Sequence, residues 1–145
     1  MTVFQPVRRA TLLIPTGPVH DLDRKHLFII LTDSIADPLN GGKDSVLLTS
    51  LSTLDTALPY DPTCILHPGD HPFVTRDSYV KYYSSRIQET SKINNGVATG
   101  EFVAKGLMDG GIVDRICDGL STSQHTAEKI NRFFRMYLKQ LPPSL

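Results

Sequence analysis

The chain has 145 residues, of which 40% are hydrophobic, and it carries 15 lysine or arginine and 15 aspartate or glutamate side chains. This length and apolar share predict one globular domain with a hydrophobic core of its own, and they exclude a disordered chain. The zero net charge argues against a dedicated duplex-DNA binder, which usually carries a basic surplus, but it is compatible with a site for a few single-stranded nucleotides.

Strand-forming runs dominate the first two thirds of the chain. Residues 67–72 contain two prolines and a glycine, which predicts a turn, and residues 33–44 are predicted to form a loop. Two structures are compatible with residues 77–86. Their tyrosine and valine content favours a strand, whereas the spacing of Tyr79, Tyr83 and Ile87 fits one face of a helix. The remaining predicted strands are residues 11–14, 26–32, 45–51, 63–66, 73–75 and 97–103.

The end of the chain has a helical pattern. Apolar residues recur with helical spacing from Leu107 to Ile116, and Gly119 is a plausible end of this helix. Ser123 is predicted to cap a second helix, whose apolar stripe from Ile130 to Leu141 would dock on the body of the domain. Strands first and helices last predict an antiparallel sheet or small barrel at about residues 10–105, followed by two helices at about 106–141, in a single domain.

The cysteines and the N-terminal residues indicate the cellular compartment in which the protein is expected. Cys64 and Cys117 lie among apolar neighbours and form no Cys-x-x-Cys pair, so we expect two buried thiols in a reducing environment. Residues 1–9 contain neither a long apolar run nor a cleavage pattern, and no stretch is long enough to span a bilayer. The expected location is the cytoplasm, with no membrane partner.

Several segments resemble the PemK/MazF toxin family. Residues 24–32, RKHLFIILT, are similar to the family strand in which an arginine precedes a hydrophobic run, and residues 45–50, SVLLTS, are similar to the next strand, which ends in Thr-Ser. Residues 64–66 and 79–87 resemble later strands, and residues 106–120 resemble the closing helix. The chain departs from the pattern at the missing Arg-Gly-Asp opening, at Lys25, where the family has proline, and in its second C-terminal helix.

The resemblance implies a mainly β fold, a small SH3-like antiparallel barrel followed by two helices, that often forms a homodimer. It also implies a toxin-type endoribonuclease that cleaves single-stranded RNA without a metal ion or other cofactor, and an antitoxin-like protein partner. The family's arginine and its threonine or serine match Arg24, Thr49 and Ser50.

The residues themselves suggest further acid–base groups. Histidine can transfer protons near neutral pH, arginine can hold a phosphate, and tyrosine can stack on an unpaired base. Two alternatives remain open: a non-catalytic protein- or peptide-binding module on the same barrel, and a metal-dependent hydrolase that uses His67, Asp70 and His71. The predicted catalytic residues are Arg24, Thr49, Ser50, His71 and Arg86, and the predicted substrate-binding residues are His26, His67, Tyr79 and Tyr82.

Overall fold

The computed structural model describes residues 4–16 and 25–142. The strands are β1 (Ala10–Pro15), β2 (Lys25–Ile30), β3 (Ile35–Asp37), β4 (Lys43–Thr53), β5 (Ile65–Leu66), β6 (Ser78–Glu89) and β7 (Val103–Leu107). The helices are α1 (Thr90–Thr99), α2 (Gly110–Thr122) and α3 (Glu128–Gln140), with a short 3₁₀ turn at Pro38–Asn40. No helix within the described ranges is both long enough and apolar enough to cross a membrane.

The strands form one antiparallel sheet that curls into a half-barrel. The order across the sheet is β5-β6-β4-β2-β1-β7, and β3 pairs with β4. This confirms the predicted mainly β fold with helices at the C-terminus. Residues 77–86 follow the strand alternative, because β6 pairs along most of its length with β4.

Helices cover much of both faces of the sheet, which explains the continuous apolar run Leu27–Ile30 in the central strand β2. Side chains alternate along β2, so Leu27 and Ile29 lie in one core while Phe28 and Ile30 lie in another. The first core contains buried residues of α2 and α3, and the second contains Ile93 of α1. A strand covered on both faces has no solvent side on which polar residues would be favoured.

Residues 97–103 do not form the predicted strand. Helix α1 occupies their first part and ends at Thr99, and the C-cap residue Gly100 adopts the left-handed conformation with φ of 82°. The polar sequence of α1 buries only Ile93 and Gly96, and a Cβ on Gly96 would come within 2.7 Å of the Phe102 ring. The helix therefore buries a small apolar face against the second core, and this face is too short to give a clear periodic pattern in the sequence.

Two shorter segments also differ from their predictions. Residues 73–75 do not form a strand but follow a turn, in which the Val74 amide donates to the His71 carbonyl oxygen. The predicted loop at 33–44 contains β3 and the 3₁₀ turn, where the Asp37 side chain accepts a hydrogen bond from the Leu39 amide. Both structures are too short to produce a periodic pattern in the sequence, so the pattern could not predict them.

The C-terminal helices lie where the sequence placed them, but their ends differ. Helix α2 continues through Gly119 and ends at Thr122, and the amide of its C-cap residue Ser123 donates to the Gly119 carbonyl oxygen. Ser123 therefore does not cap α3, which begins at Glu128. Its hydroxyl instead donates to the buried Asp61 carboxylate over 2.5 Å, which ties the β4–β5 loop to the α2–α3 connection.

Candidate functional site

A groove of about 350 Å³ opens on the sheet where β2, β4 and β6 lie side by side. Three predicted site residues, His26, Ser50 and Arg86, line it together. We call it the arginine groove. Its lining residues include no carboxylate and are Thr16, His26, Phe28, Ser50, Lys81, Ser84 and Arg86.

An irregularity in β6 builds one wall of the arginine groove. Leu48 pairs with Arg86 and Ser50 pairs with Lys81, so the β6 segment 82–85 lies opposite Thr49 alone. Bulges of this kind redirect side chains and are common beside functional sites. Here the bulge brings the Ser84 hydroxyl to the Ser50 hydroxyl.

A short hydrogen-bond chain fixes the hydroxyls. Ser84 Oγ donates to the Lys81 carbonyl oxygen over 2.7 Å and lies 2.6 Å from Ser50 Oγ. Because Ser84 donates its proton to the Lys81 carbonyl, Ser50 is the donor in the bond between the two hydroxyls. The Ser50 oxygen can therefore still accept a hydrogen bond from a ligand. Thr49 is fully buried and accepts a hydrogen bond from the Ser85 hydroxyl, so it supports the bulge from inside.

Arg86 is the most unusual group in the arginine groove. Its guanidinium carbon lies 4.5 Å from the centre of the Phe28 ring, and its Nε is buried without a hydrogen-bond partner. Burial lowers the pKa of Arg86, because the charged form is poorly solvated there. No carboxylate in the described part of the chain forms an ion pair with it. A cation that is partly removed from water and lacks a counterion favours an anionic ligand.

Two further basic side chains border Arg86. The imidazole of His26 is hydrogen-bonded through Nδ1 to the hydroxyl of Thr16. The Lys81 ammonium lies 5.0 Å from the centre of the Tyr83 ring, and Tyr83 is 62% exposed. The arginine groove thus combines the positive charges of Arg86 and Lys81 with an imidazole, linked serine hydroxyls and an accessible aromatic ring at its edge.

His71 does not lie in the arginine groove. It is 3% exposed, and its Nδ1 accepts a hydrogen bond from the Phe73 amide over 3.0 Å. The proton is therefore on Nε2, which lies 3.1 Å from the Lys105 carbonyl oxygen and donates to it. Both ring nitrogens of the neutral imidazole are hydrogen-bonded to the backbone, so His71 anchors the loop at 67–72. The structure therefore does not support a catalytic role for His71.

We predict that His71 makes stability depend on pH. Burial lowers its pKa below the ordinary value of 6.5, although the hydrogen bond to the Lys105 carbonyl opposes this shift. The unfolded chain therefore takes up a proton first, and the free energy of unfolding should fall as the pH drops from about 6.5 towards the lower pKa of the folded protein. Urea unfolding at about pH 7.5 and about pH 5 measures this loss. The loss should be smaller in His71→Gln, and equal losses in both proteins would contradict the prediction.

The remaining predicted residues are dispersed. His67 is exposed, and its Nδ1 lies 2.9 Å from Asp77, while Asp70 accepts a hydrogen bond from the His67 amide. These side chains do not converge with His71, and in residues 4–16 and 25–142 no three histidine, cysteine or acidic side chains are placed to hold a metal ion. The metal-dependent hydrolase alternative thus has no geometric support in the described chain.

The two predicted tyrosines also lie outside the arginine groove. Tyr79 packs against Tyr60, with 5.8 Å between ring centres. Tyr82 is fully buried, and its hydroxyl donates to the Ile116 carbonyl oxygen over 2.7 Å, so it is a core residue that cannot stack on a base. Arg24 lies outside the described residues.

Four of the lining residues are not among the predicted site residues, namely Thr16, Phe28, Lys81 and Ser84. One signal was present for Ser84, since a serine pair inside a segment otherwise rich in strand formers suggests an irregular strand. The role of Phe28 depends on its register opposite Ser50, which no local pattern specifies.

Comparison of the sequence with models of known protein families gives no match, and comparison with curated proteins gives none either.

Proposed function

We propose that this protein binds single-stranded RNA in the arginine groove and cleaves it without a metal ion. The observation that carries the proposal is Arg86, a half-buried cation whose Nε has no partner and which no described carboxylate neutralises. A planar guanidinium matches two oxygens of a phosphate group, and phosphate provides the missing negative charge.

The surroundings of Arg86 favour a nucleic-acid strand over a small inorganic anion. Lys81 adds a second charge, and the exposed Tyr83 ring beside it offers a flat apolar surface. Single-stranded nucleic acids combine phosphates with unpaired bases that stack on such rings. The zero net charge of the chain is compatible with a local site, because the lining of the arginine groove carries Lys81 and Arg86 and no carboxylate.

The arrangement supports cleavage by the ribose itself. The 2′-oxygen attacks the adjacent phosphorus, forming a 2′,3′-cyclic phosphate, while the bond from phosphorus to the 5′-oxygen breaks. His26 accepts the 2′-hydroxyl proton, Ser50 Oγ orients that hydroxyl, and the leaving 5′-oxygen takes a proton from water. Arg86 and Lys81 stabilise the additional negative charge on the phosphate.

The test is incubation of the purified protein with an end-labelled, single-stranded oligoribonucleotide in excess EDTA. We expect products that end in a cyclic phosphate and in a 5′-hydroxyl, and no cleavage of the matching 2′-deoxy strand. His26→Gln should slow cleavage by about 100-fold or more while it still binds the 2′-deoxy strand.

Two outcomes would contradict the proposal. Binding of RNA without cleavage by the wild type would favour the non-catalytic binding module and remove the catalytic half. Absence of both binding and cleavage would overturn the proposal as a whole.

A further inference from the structure

The sheet face that carries the arginine groove continues beyond it along β4 and β6. One row of residues in the groove consists of cross-strand partners, namely Phe28, Ser50 and Lys81. Residues two positions apart on a strand lie on the same face, so the next row contains His26, Ser52 and Tyr79, of which the last two are paired. Val80, between Lys81 and Tyr79, lies in the first core on the opposite face. Tyr79 is therefore on the face of the arginine groove, one row away from Lys81.

Two tyrosine rings meet at this row. The ring centres of Tyr79 and Tyr60 are 5.8 Å apart, and their planes are tilted by 46°. A tilted contact leaves part of each ring uncovered, and Tyr60 is 38% exposed. We call these two rings the aromatic platform. Tyr79 and Lys81 are two residues apart on β6, which corresponds to about 6.6 Å along a strand, so the platform directly adjoins the basic groups of the arginine groove.

The backbone on both sides of the aromatic platform is anchored. Residues 59–62 have the sequence PYDP, in which the two prolines restrict the backbone around Tyr60. The next residue, Asp61, is buried, and its carboxylate accepts hydrogen bonds from the Thr63 amide over 3.0 Å and from the Ser123 hydroxyl over 2.5 Å. Tyr79 is held in β6 between its neighbours β4 and β5. Anchored rings lose little conformational freedom when a ligand stacks on them.

We infer that the aromatic platform stacks on the base of the nucleotide that carries the attacking 2′-hydroxyl. This inference rests on the proposed function of the arginine groove. His26, which accepts the 2′-hydroxyl proton in that proposal, lies in the same row as Tyr79, whereas Arg86 lies two rows away, opposite Leu48. The nucleotide on the 5′ side of the cleaved linkage therefore lies at the platform end of the face. Because every base has a flat aromatic surface, the platform accepts all four bases.

The experiment uses two 2′-deoxy dinucleotides, each with a single phosphate linkage, one base and one abasic sugar. The base is 2-aminopurine, whose fluorescence falls when it stacks, and it stands at the 5′ position in one probe and at the 3′ position in the other. The 5′ probe should be quenched on binding to the full chain. Tyr79→Leu should remove this quenching and weaken binding of the 5′ probe by about tenfold, without changing the 3′ probe. Tyr79→Phe should behave like the wild type, as should Leu39→Ala, a change at an exposed leucine of the 3₁₀ turn.

The failure of this inference differs from the failure of the proposed function. If Tyr79→Leu binds and quenches the 5′ probe like the wild type while Arg86→Met binds neither probe, the arginine groove is used and the aromatic platform is not. If Tyr79→Leu weakens both probes equally, Tyr79 only supports the shape of the groove, and the inference is likewise overturned. If Arg86→Met binds both probes normally, the proposed function is overturned. Circular dichroism confirms that each variant is folded, and Tyr60→Ala, a change on the loop, repeats the test should Tyr79→Leu not fold.

Discussion

Replacement of Arg86 by methionine is expected to slow the proposed RNA cleavage strongly while the folded protein stays as stable as the wild type or becomes more stable. Methionine can keep the contact with the Phe28 ring, and it removes both the partly buried charge and the Nε that has no partner. Loss of an unsatisfied buried polar group favours the folded state. In the proposed mechanism Arg86 stabilises negative charge on the phosphate, so its loss should slow cleavage by about 100-fold or more.

Two measurements on Arg86→Met separate a functional role from a structural one. The cleavage rate in EDTA measures the activity of the candidate site, and the midpoint of urea unfolding measures the stability of the fold. Arg132→Met, an equivalent change on the exposed face of α3, should leave both unchanged. A loss of activity that accompanies a marked fall in the unfolding midpoint would assign Arg86 to the fold instead of to RNA.

The sequence predicted the fold class because the relevant signals are local. Apolar runs predicted β2 and β4, and the helical spacing of apolar residues predicted α2 and α3. It failed at α1, whose helix depends on a contact with the second core that lies far away in the chain. It also failed at Ser123, where a hydrogen bond to a carboxylate 62 residues away replaces the predicted capping role.

The candidate site was predicted only in part, for a related reason. Ser50 and Arg86 lie in one groove because β4 and β6 pair around a bulge, and a residue count along the sequence cannot reveal that register. His71 was an attractive candidate because its type is chemically versatile. Its burial and its two backbone hydrogen bonds became visible only in three dimensions. Residue type therefore indicated the chemistry, and strand register decided which residues can perform it.

Gly119→Ala is the substitution for which we expect the largest loss of stability. A Cβ at this position would overlap the Tyr82 hydroxyl oxygen and come within 2.6 Å of Tyr82 Cζ. Tyr82 cannot move away easily, because it is fully buried and bonded to the Ile116 carbonyl. Overpacking costs about 1–3 kcal/mol, and an overlap with a buried atom places the cost at the upper end of this range, above the gain of about 1 kcal/mol from the better helix propensity of alanine. Gly110→Ala is the control, since its Cβ would approach no atom closer than 3.9 Å.

The same substitution should also reduce cleavage, although α2 does not line the arginine groove. Tyr82 begins the bulge that presents Ser84 to Ser50, so a ring displaced by the methyl group of Gly119→Ala would shift that wall of the site. Tyr82→Phe removes the overlapping oxygen, and the double variant should recover part of both stability and activity, with a coupling of about 0.5–3 kcal/mol in the free energy of unfolding. Urea unfolding and the EDTA cleavage assay on the two single variants and the double variant measure this. Strictly additive effects would show that α2 and the bulge are independent, and that the core does not position the candidate site.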